Sequence, residues 1–91
     1  MVKIIFSSII ATATQGEREV TLTASTLRDA LNQLVTQYGD PFKKRILDES
    51  GNPKRFLNFY VNGKNAHFLK YLDTPLNEKD EVSVLPSVTG G

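Results

Sequence analysis

Between Thr26 and Gly39, the apolar residues Leu27, Ala30, Leu31, Leu34, Val35 and Tyr38 recur at i, i+3, i+4, i+7, i+8 and i+11. That spacing winds into one stripe along one side of a helix. Such a helix gains most of its stability by burying its stripe against another element. The clearest apolar stretches elsewhere alternate with period two, the mark of strands with one buried face. The surface the helix covers is therefore a sheet. Thr26, with Asp29 three residues on, resembles a capping box that uses Asp for the usual Glu. Gly39 suits the position just past the end, and Pro41 forbids smooth continuation.

Val2, Ile4 and Phe6 alternate with Lys3 and Ile5, and Val20 and Leu22 alternate with Glu19, Thr21 and Thr23. These predict an antiparallel pair joined by a long loop over residues 7–17, with Gln15-Gly16 as a turn. Asp40-Pro41 predicts the cap and first position of a short second helix with Phe42, Ile46 and Leu47 turned inward. Residues 48–53 are dense in turn formers. Leu57, Phe59 and Val61 then share one strand face, and Asn62-Gly63 is a strong two-residue turn signal. Residues 65–76 are mixed. Glu81 to Leu85 predicts the last strand, with Pro86 ending its ladder. The expected inward sheet positions are Ile4, Phe6, Val20, Leu22, Phe59, Val61, Val82 and Val84. The fold class is α+β: a mixed sheet with one main helix on one face, the last strand returning beside the first. One domain is expected over residues 1–85, followed by a flexible C-terminal tail over 86–91.

Chemistry is sparse along this chain. It has no cysteine, which removes disulfides, a thiol nucleophile and zinc–thiolate sites. His67 is the only histidine and reads as a structural or surface residue. Asp29, Asp40, Asp48 and Glu49 read as caps and solvated charges. No phosphate-binding glycine loop occurs, so no bound nucleotide is expected, and neither is any metal or other cofactor. A net charge of +1 gives no field for nucleic acid or an acidic membrane. Lys43-Lys44-Arg45 reads as a solvated helix face, with a docking patch as the alternative. No apolar run approaches the ~18 residues of a spanning helix, and the start of the chain does not look like a signal peptide, so a cytoplasmic protein is expected.

The end of the sequence is the exception to this plainness. It reads Leu85-Pro86-Ser87-Val88-Thr89-Gly90-Gly91. At a glycine usage of about 7%, two terminal glycines arise by chance roughly 0.5% of the time, so the pair calls for a reason. With Leu72-Asp73-Thr74-Pro75-Leu76 and the stretch from Lys79 onward, this ending resembles the C-terminal signature of the MoaD/ThiS group of β-grasp sulfur carriers, relatives of ubiquitin. That signature has an acidic turn, a valine-rich strand, a proline and a terminal diglycine. The resemblance spans essentially the whole chain. Within the group, the segments Ser8 to Thr14 and Arg55 to Asn62 are most similar to the carrier of the cysteine-forming branch. Carriers for thiazole synthesis are usually shorter. Small subunits of molybdopterin synthase often show two prolines where this chain has Pro86 followed by Ser87.

The resemblance implies a β-grasp fold and a protein co-substrate in place of an enzyme. An ATP-dependent adenylating enzyme activates the Gly91 carboxylate, and a sulfur donor displaces AMP to leave a thiocarboxylate. The sulfur then passes to an acceptor enzyme such as a cysteine synthase or a molybdopterin-synthase large subunit. Val88, Thr89 and Gly90 would thread the partner's narrow site, where glycines present no Cβ. Six residues beyond Leu85 reach about 20 Å at ~3.3 Å each, enough to enter a site while the folded body stays outside. Ile9, Ile10, Phe68, Leu69 and Tyr71 are either core or an exposed patch that docks partner enzymes. Three alternatives stay open: the small subunit of molybdopterin synthase, a ubiquitin-like modifier forming isopeptide bonds through Gly91, and an interaction domain whose diglycine is incidental.

Overall fold

A computed structural model describes residues 1–86. The helical stripe forms helix α2 (Leu27–Tyr38), with Leu27, Ala30, Leu31 and Leu34 buried. Thr26 caps it, its Oγ1 accepting from the Asp29 N–H at 3.1 Å. Asp29 answers one residue further back than a full capping box, accepting from the Ser25 N–H at 3.1 Å. Gly39 closes the helix at a φ of 76°, a conformation natural for glycine, and its N–H donates to the Val35 carbonyl. A second helix follows at once, numbered α3 (Asp40–Ile46), with Phe42 and Ile46 fully buried. Asp40 does not cap it as expected. Gly39 is the N-cap, and Asp40 stands in the first turn with no side-chain cap bond.

The sheet has five strands: β1 (Val2–Phe6), β2 (Glu19–Leu22), β3 (Leu57–Val61), β4 (Lys64–Asn65) and β5 (Glu81–Pro86). Their spatial order is β2-β1-β5-β3-β4. β1 pairs antiparallel with β2 and parallel with β5, while β3 runs antiparallel to both β5 and β4. The last strand thus returns beside the first, as expected from the order of elements, and the two are neighbours inside the sheet. The β3–β4 hairpin turns on Asn62-Gly63, whose φ values of 52° and 84° are both positive, as a primed two-residue turn requires. Val2, Ile4, Phe6, Leu22, Leu57, Phe59, Val61, Val82 and Val84 are buried in one core with α2 and α3, and Val20 is half-buried against it.

Two stretches differ from expectation. Residues 7–17 are not loop throughout: helix α1 (Ser8–Ala11) follows β1 directly, with Ser7 accepting from the Ile10 N–H at 3.4 Å. The last strand runs through Pro86, paired with Leu57. The boundary expected after residue 85 therefore falls inside β5, and the tail residues 87–91 lie outside the described residues.

Candidate functional site

The place where β5 ends defines the candidate site. β1 stops at Phe6, opposite Val84, and the Ser7 N–H donates to the Val84 carbonyl at 3.2 Å. Beyond that point Leu85 and Pro86 pair only with Asn58 and Leu57 of β3. Pro86 has no N–H to give a further ladder bond. The chain therefore leaves the described structure beside the first residue of β3, next to Phe56.

Residues from four elements gather at this end. Arg18, just before β2, donates from Nε to the Phe6 carbonyl at 3.1 Å, while the Phe6 N–H donates to the Arg18 carbonyl at 2.9 Å. Arg45 at the end of α3 donates from Nη2 to Thr12 Oγ1 at 3.2 Å, and Thr12 Oγ1 donates to the Ile9 carbonyl at 2.7 Å. These bonds tie α3 to α1. The Lys54 N–H donates to the Ile46 carbonyl at 2.8 Å, which brings the segment before β3 against α3. A shallow groove is lined by Pro41, Lys44, Arg45, Lys54 and Phe56. Ile9 is 54% and Phe56 38% exposed.

Asp80 governs the opposite end of β5. Its carboxylate accepts from the Asn77 N–H at 2.8 Å and from Asn62 Nδ2 at 3.0 Å. The Asn77 amide first, then the Asn62 side chain, hold its pKa below the ordinary carboxylate value, against a small opposing effect of burial. Asn62 in turn accepts from the Glu81 N–H at 2.9 Å. The acidic turn of the C-terminal signature is thus a clamp that sets where β5 begins.

The five residues considered for docking separate into three groups. Ile10 is fully buried, a correction to the expected patch: one turn of α1 cannot present both isoleucines, and Ile10 faces the core. Ile9 stands exposed at the tail-exit end. Phe68 (82% exposed) and Leu69 (37%) follow β4 at the far edge of the sheet. Tyr71 is half-buried there, stacked on His67 at 4.5 Å between ring centroids and packed near Phe59 at 6.3 Å. Burial raises its pKa. Gly91, Gly90, Thr89 and Val88 lie outside the described residues.

Sequence reading missed Phe56, Arg18 and the Arg45–Thr12 tie. One signal was available: Phe56 and Leu57 are adjacent, and in a period-two strand only one of two neighbours can face the core. Among the described residues, no three His, Asp or Glu side chains converge on a possible metal position. No described helix is long and apolar enough to cross a membrane.

Comparison with known proteins adds three relatives. The model of the ThiS family matches residues 4–91. The chain is 33% identical over 86 residues to the sulfur carrier protein CysO of Mycobacterium tuberculosis, covering 92% of this chain and 91% of that one. It is 36% identical over 67 residues to small archaeal modifier protein 3 of Haloferax volcanii, covering 74% and 71%. Its fold superposes on a chain of the Amycolatopsis orientalis BexX/CysO complex with a TM-score of 0.86, at 27% identity and full coverage of both chains.

Proposed function

The chain belongs to the ThiS family, and from that membership we propose that it is a sulfur carrier protein whose Gly91 carboxylate is adenylated and then converted to a thiocarboxylate. The observation that carries this reading is the family match running through the diglycine to residue 91. A carboxylate is a poor electrophile. Attack of the Gly91 carboxylate on the α-phosphate of ATP releases pyrophosphate and leaves an acyl adenylate. A hydrosulfide-level donor then attacks the carbonyl, AMP departs, and sulfur stays on the terminal carbon. The reacting atoms must be held close and aligned by the activating enzyme. The carrier supplies reach and a slim end: Val88, Thr89 and Gly90 thread the site, and the folded body with β5 stays outside.

On this reading the protein is a co-substrate acted on by an ATP-dependent adenylating enzyme, and it works in the cytoplasm, where ATP is available. Similarity to CysO supports cysteine formation as the destination of the sulfur, with a cysteine synthase as the accepting enzyme. Ile9, Phe68, Leu69 and Tyr71 serve as docking residues for such partners. Similarity to the archaeal modifier supports a second reading, in which the same activated end forms isopeptide bonds with lysines on other proteins. Intact-mass analysis of the protein from its native cell tests both. Replacement of one terminal oxygen by sulfur is the expected result. Lysine-linked adducts without it would favour the modifier, and an unmodified terminus would contradict both. A side-by-side transfer assay decides the branch: sulfur should pass to an activated serine derivative with a cysteine synthase, in preference to a molybdopterin precursor with its synthase large subunit.

A further inference from the structure

Resting on the carrier reading, we infer that the groove beside the tail exit, lined by Pro41, Lys44, Arg45, Lys54 and Phe56, docks on an acidic protein surface of the activating enzyme around the opening that admits the tail. Its chemistry is one-sided: among the described residues, three cations, two apolar side chains and no carboxylate line it. The molecule as a whole carries a net charge of only +1, so this is a local concentration. Among the described residues the ion pairs join Met1 to Glu78 and Arg28 to Asp73, and none involves Lys44, Arg45 or Lys54.

Position makes the concentration useful. Phe56 precedes Leu57, and Leu57 pairs with Pro86, the last described residue before the tail. A partner that takes hold of the chain beyond Pro86 therefore meets Phe56, and with it the groove that Phe56 shares with the cations. Arg45 is held by Thr12, and the Lys54 backbone is held by Ile46, so the cations are carried on fixed segments. An aromatic ring ringed by cations is the pattern of an interface anchor with a steering rim. Docking of the body would also raise the local concentration of the tail at the channel mouth.

Nucleic acid fits less well. It needs a continuous basic track, and the adjoining groove mixes Lys43, Lys44 and Lys54 with Asp40, Asp48 and Glu49. An acidic protein face can match a short patch; a phosphate backbone would run onto those carboxylates.

The test uses the full chain and a purified ATP-dependent adenylating enzyme of the ThiS/MoaD type from the same cell, following pyrophosphate release. In the double variant Lys44→Glu, Lys54→Glu, the KM for the carrier should rise roughly tenfold, with kcat within about twofold of wild type. Raising salt should weaken the wild type and leave the variant little changed, since screening acts on exposed charges. Phe56→Ser should raise KM without changing the salt response. Lys79→Glu, a reversal at the other end of β5, should leave KM unchanged. Thermal midpoints of all variants are measured alongside to show that they fold. A double-variant KM equal to wild type, or an equal rise from Lys79→Glu, would overturn the docking inference, while wild-type turnover would leave the activation of Gly91 standing. Binding of a labelled DNA duplex that the double variant loses, with KM unchanged, would also overturn it. If the wild type releases no pyrophosphate, the carrier reading fails and the inference with it.

Discussion

At its start, β5 is held by side chains as well as by the ladder: the Asp80 carboxylate takes the Asn77 amide and the Asn62 side chain, and Asn62 takes the Glu81 amide. At its finish the strand has lost β1, keeps only β3 as a neighbour, and ends on a proline that cannot donate. One end is fixed by side chains as well as by the ladder, and at the other the pairing with β1 has already ended. Lys44, Arg45 and Lys54 gather with the exposed Phe56 near the finishing end, while the acidic turn sits at the fixed end, where Lys64, Leu69 and Lys70 line a groove with Asp80. On the proposed function, a single strand separates the work of folding from the work of presenting a terminus, and changes at its two ends should be felt in different measurements.

The scaffold gives the largest expected loss of stability. Leu34 is fully buried in the core under the sheet. Leu34→Ala should cost roughly 2–5 kcal/mol in denaturant unfolding. Activation of the molecules that remain folded should keep its wild-type KM, because the exit end is untouched. A cost under about 1 kcal/mol would show that α2 is not the element closing the core.

Asp80 gives a smaller effect with a pH signature. Asp80→Ala removes two hydrogen bonds at a half-buried position and should cost about 1 kcal/mol, read by chemical denaturation. The folded-state pKa of Asp80 is depressed, so its contribution is fully present above the ordinary carboxylate value and is lost as pH falls through the folded value. Wild type should therefore lose stability below about pH 4 more steeply than Asp80→Ala. Parallel acid profiles for the two proteins would remove Asp80 from the account of how β5 is anchored.

Much of this was legible from residue spacing. α2 spans more than three turns, long enough for its stripe to repeat, and β1, β3 and β5 alternate cleanly. The return of the last strand beside the first was expected from the element order, with long crossovers allowing a parallel pair; its central place in the sheet came from the structure. What escaped is short. α1 holds four residues, too few to show a period, so Ile9 and Ile10 could not be told apart. β4 has two residues, and the tight turns after it include Tyr71 at a φ of 50°, a conformation set by its surroundings and not by local preference. The charged groove draws on residues 41–45 and 54–56, which become neighbours through the Lys54–Ile46 bond and the Leu47–Pro53 bridge. The diglycine, by contrast, needs no tertiary context to be noticed, and the chemistry proposed for it rests on the family match.

The central claim is that the folded body and the reactive end are separable, and deletion of Gly90 and Gly91 tests it most directly. The deletion should change unfolding free energy within about ±0.5 kcal/mol, as for a surface change. It draws the terminal carboxylate back by about 7 Å at ~3.3–3.6 Å per residue and puts a β-branched threonine at the end. Misplacement by about 1 Å can already cost ~10²-fold in a positioned reaction, so adenylation and thiocarboxylate formation should disappear. Unchanged stability with lost activation is the predicted result. Normal activation of the truncated protein by the same adenylating enzyme would contradict the account.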